Sequence, residues 1–127
     1  PENEPDHWDL VEGQGSLLHA SYAGVTLGLA HGAQADAIVI CHEPTRPHMR
    51  GLPDYPMPTL EACMKAQLEA CALTNPDVRC IGAAINTSAL DEAGAEAAIK
   101  DAEDRLGLPA VDPVRHGVAR LVDALGT

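Results

Sequence analysis

Four polar clusters hold the residue types that could do chemistry in this chain. Glu12-Gly13-Gln14-Gly15 sets a carboxylate beside two glycines. Glu12 could order a Mg²⁺ ion there, and Gly13 and Gly15 could leave backbone N–H groups free for an anion. The alternative is a solvated turn with an incidental acid. Cys41-His42-Glu43 joins an imidazole to a carboxylate, a pairing suited to a general base or a metal ligand. Its alternative is a His42 that only hydrogen-bonds its own loop. The spacing of Cys41, His42 and His48 matches no standard zinc pattern. Arg46, His48 and Arg50 alternate just downstream, and guanidinium groups bind carboxylates and phosphates in bidentate fashion. Pairing with Glu43 or Asp54 would be the structural use of those arginines. Asn86-Thr87-Ser88 offers an amide that can read a ligand's hydrogen-bonding edge, with Ser88 better read as a helix cap. Asp112 to His116 offers Arg115 and His116 to an anion, or Arg115 to Asp112.

Each cluster follows a short apolar run. Trp8–Glu12, Ala37–Cys41, Val78–Ile85 and Pro109–Val111 read as strands, and helix-like segments lie between them. Strands alternating with helices predict an α/β fold: a parallel sheet with helices on both faces. All four clusters then fall at the carboxyl edge of the sheet, where open α/β folds bind ligands. Helices are expected over Ser21–His31, stopped by Gly32, with Gly24 and Gly28 allowing close backbone approach. Leu60 to about Leu73 follows the cap Thr59, with Leu60, Cys63, Met64, Gln67, Leu68 and Cys71 at helical spacing, and Asn75-Pro76-Asp77 ends it. A helix entered through Ser88 to Asp91, which resembles a capping box, runs to Leu106 with Gly107 as its C-cap. Gly117–Leu125 is the last. The stretch Glu43–Pro58 holds five of the ten prolines and is expected to be irregular and functional.

Composition bounds the class. At 127 residues the chain suits one domain, with an aliphatic core because there is no Phe and only Trp8, Tyr22 and Tyr55 as aromatics. The net charge of −11 argues against nucleic acid and against anionic membranes as partners. No run of about 18 apolar residues is present to span a membrane, and no signal peptide is visible. Cys41, Cys63, Cys71 and Cys80 lie inside expected elements, as buried reduced thiols of a cytoplasmic protein would. There is no G-x-S-x-G elbow. The G-x-G of Gly13 to Gly15 lacks the third glycine of the dinucleotide fingerprint, and no G-x-x-x-x-G-K-[ST] loop occurs. The chain begins Pro1-Glu2-Asn3-Glu4-Pro5-Asp6 without Met and enters a strand almost at once. We expect it to be the later part of a longer protein. A small open sheet with uncovered edges also predicts self-association into a homo-oligomer.

Six segments carry a resemblance: Val11–His19 (V-E-G-Q-G-S-L-L-H), Tyr22–Leu29, Cys41–Pro44 (C-H-E-P), Arg50–Pro56 (R-G-L-P-D-Y-P), Thr74–Val78 and Ile85–Leu90 (I-N-T-S-A-L). Together they resemble the bacterial D-glutamate N-acetyltransferase family, over nearly the whole chain. The resemblance implies a longer protein whose C-terminal domain is of the P-loop type, with the phosphate loop upstream. Residues 1–127 would be the later part of that domain. The E-G-Q-G segment is similar to a strand end of dethiobiotin synthetase-like proteins, where the acid lies near Mg²⁺ and nucleotide. By that likeness Glu12 is a metal-side acid and Asn86 faces a base. The implied activity is acetyl transfer from acetyl-CoA to the amine of a small-molecule amino acid, D-glutamate. His42 or Glu43 is then the base. Glu12, Gly13, Gln14, Gly15, Arg46, His48, Arg50, Asn86, Thr87 and Arg115 contact substrate or cofactor. The alternative is an ATP- and Mg²⁺-dependent ligase or NTPase, and a third reading is a non-enzymatic oligomerisation domain.

Overall fold

The computed structural model describes residues 4–126; Pro1–Asn3 and Thr127 lie outside them. The A-I-V-I-C run forms β1 (Ala37–His42), and the next apolar run forms β4 (Arg79–Ile85). The two lie parallel, with Ala37 opposite Arg79 and His42 opposite Ile85. A short β5 (Ala110–Val111) adds to the other side of β4, also parallel, giving the order β1-β4-β5. Parallel strands need crossovers, and helices supply them: α2 (Leu60–Ala72) before β4 and α3 (Glu92–Leu106) before β5. Both helices cover one face of the sheet. Ile40, Ala83, Ile85 and Ala110 from the strands pack there against Leu60, Ala102 and Leu106. The core is aliphatic, as the composition requires.

Helix ends follow side-chain chemistry. Thr59 caps α2 by accepting the N–H of Ala62. Asp91, not Ser88, caps α3 by accepting the N–H of Gly94 at 2.8 Å. Ser88 has no such role, because α3 starts only at Glu92, four residues further on. Gly107 closes α3 in the left-handed conformation, as expected. The opposite face of β4 is covered by α5 (Ala119–Asp123). Gly82 makes that packing possible: a Cβ there would stand 2.4 Å from the Pro109 carbonyl oxygen and 2.6 Å from a Leu121 methyl. Gly82 also has φ +153°, and the β1–β4 register slips beside it.

Six expectations are corrected. Trp8–Glu12 is not a strand: it pairs with nothing among the described residues, and Leu10 is 94% exposed. An apolar run becomes a strand only where a neighbour takes its backbone groups. The proline-rich stretch is not wholly irregular: β2 (His48–Met49) and β3 (Leu52–Pro56) form an antiparallel hairpin. Prolines are tolerated there because β3 is an edge strand needing few N–H donors. Helix α1 (Ala23–Ala33) runs through Gly32 and stops at Gln34 in the left-handed conformation. Gly24 and Gly28 meet nothing within 4 Å, so they serve no close approach. The last helix is two pieces, α4 (Pro113–His116) and α5, broken at Gly117. Of the thiols, all free, Cys71 is buried while Cys41 is exposed.

Candidate active site at the carboxyl edge

A cavity of about 1060 Å³ opens at the carboxyl ends of β1, β4 and β5. Its wall is drawn from all four polar clusters and from the β2–β3 hairpin. Gln14 and Gly15 line it, with His42, Glu43 and Arg46 after β1, Arg50 on the hairpin, Asn86 after β4 and Arg115 after β5. The first cluster arrives on an irregular segment rather than on a strand. The parallel sheet gathers the other ends because every strand points the same way.

His42 ends β1 half-buried, and its imidazole makes no hydrogen bond among the described residues. Its pKa lies below the ordinary 6.5, first because burial disfavours the cation, then because Arg105 repels it; Glu43 works the other way. The ring is therefore a free base at neutral pH, facing a cavity. Glu43 is committed to an ion pair with Arg46. Arg115 is committed too: it donates to Glu92 at 2.8 Å and to the carbonyls of Thr87 and Leu90, with Asp112 3.9 Å away. Arg50 has no carboxylate partner among the described residues. Asn86 donates its N–H to the His42 carbonyl at 2.8 Å, tying the ends of β1 and β4 together. Its side-chain oxygen accepts from Ser88, which leaves the amide NH₂ for the cavity.

Four of the candidate residues stand elsewhere. Thr87 is fully buried, and its N–H and hydroxyl both go to Asp112. His48 hydrogen-bonds the Met49 carbonyl on the hairpin and is not part of the cavity wall. Gly13 lies beside the wall against Leu29, without positive φ. Glu12 is exposed, but its charge reaches the site: it raises the pKa of the Cys41 thiol, second to the desolvation of the sulfur by the groups around it, although the residue as a whole is exposed. Among the described residues no group of three His, Cys, Asp or Glu converges as a metal-ligand set. Gly15 has a packing role, since a Cβ there would stand 2.9 Å from the Tyr22 ring.

Sequence reasoning undervalued two residues. Asp112 is buried and accepts four hydrogen bonds, from the N–H and hydroxyl of Thr87 and from the N–H groups of Val114 and Arg115. These bonds hold its pKa down to about 2, the Thr87 hydroxyl contributing most. The signal was an Asp before a Pro at a strand end, a helix-cap signature. His19 and its neighbour Tyr22 also line the cavity, and no spacing marked His19 beforehand.

Residues 1–122 match the family described as "Domain of unknown function (DUF1611_C) P-loop domain", and the chain belongs to that family, DUF1611. It is 57% identical over 125 residues to a protein of Tritonibacter scottomollicae named D-glutamate N-acetyltransferase, covering 98% of this chain and 38% of that one. A Pseudoalteromonas sp. protein of the same name is 45% identical over 122 residues, covering 96% of this chain and 37% of that one. The chain thus spans little more than a third of the curated relatives it matches. The crystal structure of a DUF1611 family protein from Anabaena variabilis superposes with a TM-score of 0.84 at 35% identity, covering 91% of this chain and 34% of that one.

Proposed function

We propose that the protein carrying this chain is an N-acetyltransferase that moves an acetyl group from acetyl-CoA to the amine of D-glutamate or a related acidic D-amino acid. The chain supplies the acceptor side of the site. One observation carries the reading to this cavity: a half-buried imidazole of lowered pKa, free of partners among the described residues, beside an arginine with no carboxylate partner. The names of the two relatives supply the reaction.

An amino acid carries an ammonium group at neutral pH, so a base must free its lone pair before attack. His42 accepts that proton. The amine nitrogen then bonds to the thioester carbonyl carbon, and the C–S bond breaks. As it becomes an amide the nitrogen gives up a second proton; His42 returns one proton to the departing sulfur, so that CoA leaves as its thiol, and the other passes to solvent. Arg50 holds an anionic group, a carboxylate of the acceptor or a phosphate of CoA, and the backbone N–H groups around Gly15 face the developing oxyanion. The chain carries a net charge of −11, so an anionic acceptor needs such a local cation.

A second reading, an ATP- and Mg²⁺-dependent ligase or NTPase, is favoured by the P-loop description of the family. The full-length protein decides between them. Incubation with acetyl-CoA and D-glutamate, ATP omitted, is expected to yield N-acetyl-D-glutamate. Product only with ATP present, with ADP accumulating, would replace the first reading by the second.

A further inference from the structure

His19 is only 6% exposed and has no part in the proton transfer above. A buried imidazole must satisfy both ring nitrogens. Nδ1 accepts the backbone N–H of Ser21 at 3.1 Å, which places the ring proton on Nε2. Nε2 donates it to the carbonyl of Arg50, 31 residues away, at 2.9 Å. The same ring lies against Tyr22, centroids 4.8 Å apart, and Tyr22 lies against Gly15. One side chain thus links the N-terminal wall of the cavity to the hairpin, at Arg50 itself.

The hairpin needs that link. β2 has two residues, and β2 and β3 share only two register pairs with an irregularity between them. A hairpin this small is marginal alone. Arg50 sits at its turn, next to Gly51 with φ +74°. Met49 is buried and anchors one side; the Arg50 carbonyl is the next attachment point. Of the three arginines in the cavity wall, Arg46 is paired with Glu43 and Arg115 with Glu92.

We propose that His19 is a positioning residue: its bond to the Arg50 carbonyl holds the hairpin so that Arg50 binds an anionic group, a carboxylate or a phosphate. The acetyltransferase reading supplies the two candidate sources of that anion, the carboxylates of the acceptor and the phosphates of CoA. The strut itself does not depend on that reading.

The test uses the full-length protein and two readouts that need no turnover. The first is hydrogen exchange of the hairpin amides. His19→Ala speeds exchange there by about tenfold or more, while β1 and β4 stay protected. His19→Gln restores protection, because the glutamine amide can donate to the same carbonyl. The second is calorimetric binding of D-glutamate and of CoA, each alone. His19→Ala and Arg50→Ala both weaken one of them by about tenfold, the loss of a charge-assisted contact. Weakened D-glutamate assigns Arg50 to the acceptor carboxylate; weakened CoA assigns it to the donor phosphates. Unchanged hairpin exchange in His19→Ala, protection lost across the whole sheet, or both ligands bound by His19→Ala and Arg50→Ala as tightly as by wild type would overturn the proposal. Absence of acetyl transfer with binding intact would overturn the function and leave the strut standing.

Discussion

At the scale of the residue, His42 is set by two opposing charges and by burial. Arg105 lowers its pKa and Glu43 raises it. The signs give a paired prediction for the full-length enzyme. The acidic limb of the kcat/KM profile, which reports the free enzyme's base, lies below pH 6.5. Glu43→Gln moves that limb to lower pH, because a charge favouring the imidazolium is removed. Arg105→Gln moves it to higher pH, because a repelling charge is removed. Limbs that do not move in opposite directions would show that another group is titrating. The place of His42, at a strand end on the cavity wall, was legible in the sequence because the apolar run before it marks the strand and parallel strands end at one edge. The commitments of Glu43, Arg46 and Arg115 were legible only as alternatives, since pairing depends on which loops meet. Thr87 was misplaced for a related reason: a polar residue at a strand end can turn inward when a buried carboxylate such as Asp112 waits for it.

At the scale of the element, β1 and β4, strands of six and seven residues, were readable because the continuous apolar runs inside them have few other homes. The N-terminal run was not, because strand formation depends on a partner rather than on the run itself. The hairpin hid behind its prolines, which argue against central strands but not against edge ones. Gly82 offered no local signal at all. Its requirement comes from α5, some forty residues later in the chain, lying across it. Gly82→Ala is therefore expected to force β4 from Pro109 and Leu121, at a cost on the order of 2–4 kcal/mol. Urea denaturation measures it. A loss below about 0.5 kcal/mol, typical of a surface position, would show that the sheet and α5 yield freely.

At the scale of the whole molecule, acid stability follows from the carboxylates whose pKa values are lowered on folding. Asp112 falls from 3.8 to about 2, and Glu61 from 4.5 to about 2, the latter through its hydrogen bonds with Arg105. Lowered values mean that the stabilisation is fully present above the ordinary pKa and is lost as pH falls towards the folded one. Glu61 is exposed and solvent-screened, so Asp112, buried between β5 and the β4 end, carries most of the effect. The unfolding midpoint should decline between about pH 4 and pH 2. Asp112→Asn should lower stability at pH 7 and flatten that decline; an equally steep decline in the variant would place the effect elsewhere. The fold, the edge and the unpartnered His42 imidazole all bear on one claim, that the cavity of this chain holds the reacting amine. The most direct test is CoA release by full-length His42→Ala at saturating acetyl-CoA and D-glutamate, alongside its unfolding midpoint. The account predicts turnover about 10²-fold or more below wild type with an unchanged midpoint, the loss expected for a general base. Wild-type turnover in that variant would contradict it.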